Sequence, residues 1–230
     1  MSREPPEAAS RTGQTPGNAG VWTLSKDDAA FPQRLRQSRF SGATISGLGR
    51  QSLLASSCVG LVCSVQCPGN VMLKAFDAIR ELRDAGIVVA GGFHSPMEQE
   101  CLEFLLRGQQ PVIVCPARHP AGMRLPVAWR SALDGGRLLV VSPLQSTARR
   151  TSAAHARTRN AFVAALSTTV LVPHASVGGK VEGTIQPLLQ QGVPVFTFEV
   201  EENVNLLRQG ARPYNRDRVL AALGDSLGGS

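Results

Sequence analysis

The sequence predicts an α/β fold of three layers, in which a mainly parallel sheet lies between two layers of helices. Short, continuous apolar runs recur along the chain, and such runs are typical of strands that are buried on both faces. Segments with a helical spacing of apolar residues lie between these runs, separated from them by turns rich in Gly, Pro or Asn. Strands that alternate with helices in this way form right-handed crossover units, and these units build parallel sheets.

Four strands and two helices are predicted in the first part of the chain. The strands are expected at residues 59–65, 87–90, 111–115 and 137–142, and the helices at residues 71–84 and 96–107. The start of the second helix is well marked, because Ser95 is a good N-cap, Pro96 suits the first helical position and Glu98 completes a capping box. Residues 116–136 are predicted to form a loop that is long for a compact domain.

The second part of the chain continues the alternation. Helices are expected at residues 153–166 and 181–191, and strands at residues 169–173 and 193–198. Arg159 and Asn160 are predicted to open the apolar stretch of the first of these helices. The complete pattern predicts a Rossmann-like three-layer sandwich.

The chain is assigned to one domain with a lead-in segment and two tails. Its 230 residues are enough to bury a full core in one domain. Residues 1–20 and 226–230 are predicted to be disordered tails, residues 21–57 a lead-in segment, and residues 58–225 the Rossmann-like domain. The N-terminus lacks the apolar core of a secretory signal, and no run approaches the roughly 20 apolar residues of a membrane span. A cytoplasmic protein with no membrane partner is therefore expected.

The five cysteines do not predict a disulfide framework, because their number is odd and the sequence shows no secretory context. Cys63 and Cys67 are four residues apart, a spacing that is compatible with a metal site. However, no second pair of Cys or His has a matching spacing, and Cys63 lies in an apolar run. The cysteines are therefore predicted to be small core side chains, and no metal site is expected.

Positive charge is concentrated in the middle of the chain. The formal net charge is +7 and the pI is about 9.8. Between Arg107 and Lys180 there are ten Lys/Arg and one acidic residue, Asp134, which gives +9 for this stretch and leaves −2 for the rest. This asymmetry predicts a face that binds a polyanion. The alternative is an Arg-rich solvated surface that reflects genome composition, since Arg outnumbers Lys by 21 to 3.

A phosphate-binding site is predicted where the carboxyl ends of the strands meet. Ligands of such sheets bind beyond those ends, near the point where the strand order reverses. Four loops are expected to converge there, at residues 66–70, 91–95, 116–119 and 173–180. The candidate residues for binding nucleic acid or phosphate are Gly69, Gly91, Gly92, His94, Arg118, Arg159, Asn160, Ser176, Gly178, Gly179 and Lys180.

Each candidate has a chemical reason and a simpler alternative. A guanidinium grips phosphate bidentately, so Arg159 and Arg118 are predicted to contact it; the alternative for Arg159 is an ion pair that holds its helix to the sheet. Residues 178–180 are predicted to form an anion nest backed by a cation, and are otherwise a plain turn. His94 either contacts a base or organises its loop. Aromatic residues are scarce, which favours binding through the DNA backbone over base stacking.

Several motifs resemble those of the DprA/Smf family of bacterial DNA-processing proteins. Residues 31–35 (Phe-Pro-Gln-Arg-Leu) are similar to the family's Tyr/Phe-Pro-x-x-Leu, and residues 47–54 to its Gly-Asn-x-x-Leu-Leu. Residues 159–167 resemble Arg-Asn-Arg-Ile-Ile-Ala-Gly-Leu-Ser, and residues 203–214 the stretch that ends in Leu-Ile-x-x-Gly-Ala. The resemblance implies a non-enzymatic protein that binds single-stranded DNA in DNA uptake or recombination. It also implies a recombinase partner and a homodimer, and no cofactor.

One departure from the family pattern keeps an alternative open, and a second difference counts against its hydrolase form. The family's Gly-Ser-Arg after the first strand is replaced by Val65, Gln66 and Cys67, so a phosphate-contacting Arg is missing. The related LOG nucleotide hydrolases carry Pro-Gly-Gly-x-Gly-Thr-x-x-Glu, and Pro187 stands here in place of the catalytic Glu. The alternative is a protein that binds a nucleotide or phosphoribosyl ligand, or a weak nucleotide hydrolase, that uses the same pocket.

Overall fold

The computed structural model describes residues 20–147 and 152–224. One sheet of nine strands runs through this part of the chain. The strands are β1 (Trp22–Leu24), β2 (Ile45–Gly49), β3 (Cys58–Leu61), β4 (Val88–Gly91), β5 (Val112–Val114), β6 (Leu138–Ser142), β7 (Thr169–Leu171), β8 (Val195–Thr197) and β9 (Arg212–Pro213). The helices are α1 (Gln33–Arg36), α2 (Gly69–Asp84), α3 (Pro96–Leu106), α4 (Val127–Asp134), α5 (Ala153–Leu166), α6 (Lys180–Gln190), α7 (Val204–Arg208) and α8 (Arg216–Gly224).

The strand order is β1-β2-β6-β5-β4-β3-β7-β8-β9. The seven strands from β3 to β9 are parallel to one another, while β2 is antiparallel to both β1 and β6. The chain moves outward from β3 to β6 and then crosses back to β7 on the other side of β3. The reversal point of the sheet therefore lies between β3 and β7, where the loops after these two strands run apart.

Helices cover both faces of the sheet. One apolar cluster joins α1, α5 and α6 to one face, and a second joins α2, α3, α4 and α8 to the other. Alternate residues of β3 serve the two clusters, since Cys58 belongs to the first and Val59 to the second. Helix α5 approaches β3 so closely that a Cβ on Gly60 would lie 2.6 Å from Oγ of Ser167. The predicted α/β, Rossmann-like three-layer fold with a mainly parallel sheet is confirmed.

The elements agree with the sequence prediction in the centre of the sheet and differ at its margins. All six predicted strands are present, and the capping box of Ser95 and Glu98 forms at the start of α3. The first predicted strand was too long, because β3 ends at Leu61 and Val65 is exposed. The predicted loop 116–136 was partly wrong, because it contains α4. Strands β1, β2 and β9 were not predicted.

The lead-in segment 21–57 contributes β1, α1 and β2, and two of these elements join the same sheet as the rest of the domain. The boundary at residue 57 stays a prediction. The predicted tails fall almost wholly on residues 1–19 and 225–230, which lie outside the described residues, as do Arg149 and Arg150. Within the described ranges, the helices are all too short or too polar to span a bilayer.

Candidate nucleic-acid interface

An open cleft of about 610 Å³ lies at the reversal point of the sheet. The loop after β3 lines it with Cys67, the start of α3 with Met97, and the loop after β7 with His174. Helix α2 begins beside the cleft at Gly69, with Pro68 as its N-cap. The loops predicted to converge at residues 66–70, 91–95 and 173–180 thus come from strands that are adjacent in the sheet.

The loop after β4 is held by a buried carboxylate. Glu98 is only 3% exposed, and its Oε2 accepts hydrogen bonds from the backbone N–H of His94 (3.1 Å) and from the N–H and Oγ–H of Ser95 (3.0 Å each). These bonds fix the turn at Phe93, which has a φ of +45° and is buried in the core. The Phe93 ring is therefore unavailable for base stacking, while the His94 side chain is exposed.

Arg159 lies beneath this same loop. It is in the second turn of α5, 6% exposed, and both Nε and Nη2 donate to Oδ1 of Asn160, at 3.0 and 2.9 Å. Its guanidinium touches the backbone of Gly92 so closely that a Cβ there would lie 2.5 Å from Nε. Burial lowers the pKa of Arg159, and the charge of Glu98 opposes that effect. Arg159 and Gly92 are thus brought together, with Asn160 orienting the guanidinium.

The loop after β5 and the start of α5 carry further cations at the same edge. Arg118 is partly buried, and its buried Nε has no hydrogen-bond partner among the described residues. Arg124 precedes α4 and is exposed, and Arg157 is exposed in α5. His119 is fixed in the loop, because its N–H donates to the carbonyl of Ser146 (2.7 Å) and its Nδ1 accepts from the N–H of Ala121 (3.1 Å). Arg118 and Arg124 make the β4–β5 half of the edge basic.

The loop after β7 is organised around an internal carboxylate. Gly178 has a φ of +68°, and its N–H donates to Oε2 of Glu182 at 2.5 Å. Oε1 of Glu182 accepts from Asn205 and Gln209, each at 2.7 Å. These bonds, led by that of Asn205, lower the pKa of Glu182. The Gly178 amide is therefore already paired with a carboxylate of the protein itself.

The remaining candidates in this loop differ in their surroundings. The N–H of Ser176 donates to Oγ of Ser64 at 3.2 Å, and Gly179 is the N-cap of α6. Lys180 is exposed at the first position of that helix. Its ammonium group is thus the free cation of this loop among the described residues.

The edge of the sheet is electrostatically divided. Glu199, Glu201 and Glu202 follow β8, and Nδ2 of Asn70, next to Gly69, donates to Oε1 of Glu202 at 2.8 Å. The β7–β8 half therefore carries carboxylates, whereas the β4–β5 half carries cations. All of the candidates were predicted to lie in one site, and this division of charge was not predicted. The run of acidic residues at 199–202 was the signal that could have revealed it.

Neither a protein-family model nor a curated protein sequence matches this chain. Solved structures do match it. DNA processing protein A (DprA) from Streptococcus pneumoniae superposes with a TM-score of 0.73 and 19% identity, covering 87% of this chain and 74% of that one. A structure of DprA from Helicobacter pylori, solved to describe its single-stranded DNA binding mode, gives 0.69 and 17%, covering 90% of this chain and 96% of that one.

A more distant neighbour is the molybdenum cofactor binding protein from Rippkaea orientalis. Its TM-score is 0.51 with 11% identity, and the match covers 75% of this chain and 98% of that one. At these identities the likeness concerns the fold. The resemblance to the DprA/Smf family, first seen in the sequence motifs, is thus confirmed in the fold.

Proposed function

We propose that this protein binds single-stranded DNA through phosphates along the basic half of the sheet edge. The observation that carries the proposal is Arg118, whose buried Nε has no partner among the described residues. A buried donor of this kind is rare in folded proteins, and an anion that docks at the loop would satisfy it.

The surrounding charges favour the same ligand. Arg124 lies at the same edge and is exposed, and the positive end of α5, capped by Ser152, is directed towards it. A phosphate backbone is attracted by several cations at once, whereas the carboxylates after β8 repel it. The strand is therefore proposed to pass over the loops after β4 and β5 and to avoid the β8 loop.

The predicted residues have different proposed roles along this path. His94 is exposed and contacts a base or sugar, and Arg118 contacts a phosphate. Arg159 presents only a small edge to solvent, so its main role is to hold the Gly92 backbone and the loop above it, with Asn160 as its anchor. Lys180, at the start of α6, lies outside this path. Gly69 and Gly178 lie beside the acidic half, so we assign them a structural role and no contact with DNA.

The structural neighbours support this proposal by their own described properties. The Helicobacter pylori protein is described by its single-stranded DNA binding mode, and the Streptococcus pneumoniae protein as a DNA-processing protein. By the same resemblance we propose a cytoplasmic role in DNA uptake or recombination, with a recombinase partner and a homodimeric state. Binding alone is sufficient for such a role, and no catalytic group is required.

A second candidate function is binding of a small nucleotide in the cleft at the reversal point. Its volume of about 610 Å³ lies within the range of small-ligand sites. Hydrolysis is less favoured, because the carboxylates of Glu98 and Glu182 already accept hydrogen bonds from the protein's own backbone and side chains. A nucleotide panel measured by thermal stabilisation separates this candidate from DNA binding.

The test is fluorescence anisotropy of a labelled single strand of about 30 nucleotides. Arg118→Gln is expected to weaken binding by about tenfold or more, since a hydrogen bond to a charged group contributes about 1.5–3 kcal/mol. Arg107→Gln is the matched control, because Arg107 is an exposed cation at the opposite edge of the sheet. Equal affinity for the two variants would refute the proposed path.

A further inference from the structure

A basic cleft lies on one helical face of the domain, separate from the loops that carry the proposed DNA contacts. Helices α1, α5 and α6 form its walls, and its volume is about 630 Å³. Helices α5 and α6 precede the neighbouring parallel strands β7 and β8, so they lie side by side and the cleft follows the seam between them. This surface was not identified from the sequence.

Four cations line the cleft: Arg34, Arg39, Arg157 and Lys180. The part of the chain that the structure describes places no acidic residue in the lining and pairs none of the four with a carboxylate. Arg34 is half-buried, and Arg39 lies over the ring of Phe40 at 5.5 Å, so both are restrained near the cleft. Cations that converge without a counter-ion repel one another, and a bound anion relieves that repulsion.

Part of the cleft's lining is an apolar patch, called the floor below. Ala161, Ala164 and Ala165 form it on the side of α5, and Leu188 on the side of α6. The alanines recur on one face of α5 at helical spacing, and their small side chains leave room between the two helices. An apolar floor with a few polar groups at the rim is the usual construction of a site for a small organic ligand.

We propose that this cleft binds a nucleoside mono- or diphosphate. The cations hold the phosphate, and the alanine floor supports the sugar and the base. Its three helical walls border a volume of about 630 Å³, within the range of small-ligand sites, whereas a DNA strand needs a longer path such as the sheet edge provides. The site is additional to the proposed DNA interface and does not depend on it.

Isothermal titration calorimetry of the full chain with AMP, ADP and inorganic phosphate tests the proposal. One nucleotide is expected to bind per chain, more tightly than inorganic phosphate, because phosphate alone cannot use the floor. Arg157→Gln is expected to weaken nucleotide binding at least tenfold, since the exposed side chain contributes a charged contact and no core packing. Arg107→Gln removes the same charge at the far edge of the sheet and is expected to bind nucleotide normally.

A second variant fills the cleft without changing its charge. Ala161→Leu keeps a good helix former and places three more carbons on the floor, so it is expected to abolish nucleotide binding while the melting temperature stays within a few degrees. Nucleotide binding that survives both Ala161→Leu and Arg157→Gln would overturn the proposal, as would no binding to the wild-type chain.

The DNA interface has a separate readout. Arg118→Gln is expected to reduce affinity for single-stranded DNA and to leave nucleotide binding unchanged, while Ala161→Leu is expected to do the reverse. If Ala161→Leu instead weakens DNA binding and the wild-type chain binds no nucleotide, the cleft belongs to the DNA path and the nucleotide site is refuted. If DNA binding is absent but the nucleotide binds as described, the proposed function fails and this inference stands.

Discussion

Gly92→Ala tests how tightly the loop after β4 depends on the buried arginine beneath it. A Cβ at this position would lie 2.5 Å from Nε, 2.7 Å from Cδ and 2.9 Å from Cζ of Arg159. These distances are too short for real contacts, so the guanidinium must move. Its two hydrogen bonds to Asn160, at 3.0 and 2.9 Å, are then lost or weakened.

The expected cost follows from those two bonds. A typical hydrogen bond contributes about 0.5–1.5 kcal/mol net, so the variant is expected to lose about 1–3 kcal/mol of unfolding free energy. For a chain of this size that corresponds to a fall in melting temperature of roughly 2–12 °C. Thermal and urea unfolding followed by circular dichroism measure both quantities.

A double-mutant cycle with Arg159→Ala isolates the contact. Arg159→Ala removes the three atoms nearest to the new Cβ, so Gly92→Ala is expected to cost much less in that background. Gly69→Ala is the matched control, because a Cβ there meets no atom within 4 Å and the residue begins a helix. If Gly92→Ala costs the same in both backgrounds, Arg159 does not support the loop and the reasoning is refuted.

Two further predictions concern titrating groups. A hydrogen bond from Cys63 lowers the pKa of Cys67, and the same bond together with burial raises the pKa of Cys63. Iodoacetamide is therefore expected to alkylate Cys67 before Cys63. The alkylation rate of Cys67 is expected to have its pH midpoint below the usual thiol pKa of 9.0, and this midpoint is expected to move upward in Cys63→Ala. Mass spectrometry of the labelled peptides at several pH values checks this. The pKa of Glu182 is lowered below its usual 4.5, so its stabilising contribution is complete at neutral pH and is lost as the pH falls through the depressed value. Urea unfolding should show a deficit in Glu182→Gln that is largest near pH 7 and shrinks in acid, and a pH-independent difference would contradict this assignment.

The centre of the sheet was predictable because each of its strands has a local sequence signal. β3 to β8 are short apolar runs buried on both faces, and each is bounded by turn residues. The capping box at Ser95 and Glu98 was predictable for the same reason, since both partners lie within four residues. Local signals of this kind do not depend on the rest of the fold.

The margins of the sheet were not predictable from local patterns. Strand β2 contains two glycines in five residues, β1 has three residues, and β9 is only Arg212–Pro213. Each is a strand because a neighbour supplies its hydrogen bonds. Helix α4 was missed because its residues follow a loop rich in Pro and Arg that obscures the apolar pattern.

The candidate site was partly predictable. That the loops after β3, β4, β5 and β7 meet at one edge follows from the parallel order of the strands. The hydrogen bond from the Gly178 N–H to Glu182 does not follow from the strand order, because it depends on the conformation of the turn. The basic cleft could not be predicted from the sequence, because its cations lie as far apart in the chain as Arg34 and Lys180. Only the packing of three helices brings them together.

The central claim is that DNA is held by cations on the β4–β5 half of the sheet edge, and its most direct test is the salt dependence of single-strand binding. The affinity of the wild-type chain for a labelled strand is measured by anisotropy at several salt concentrations, alongside Arg118→Gln and Arg107→Gln. Each neutralised phosphate contributes about −0.7 to the slope of log affinity against log salt. The account predicts a wild-type slope of several units, a slope shallower by about 0.7 in Arg118→Gln, and no change in Arg107→Gln. A flat wild-type slope, or equal slopes in the three proteins, would contradict it.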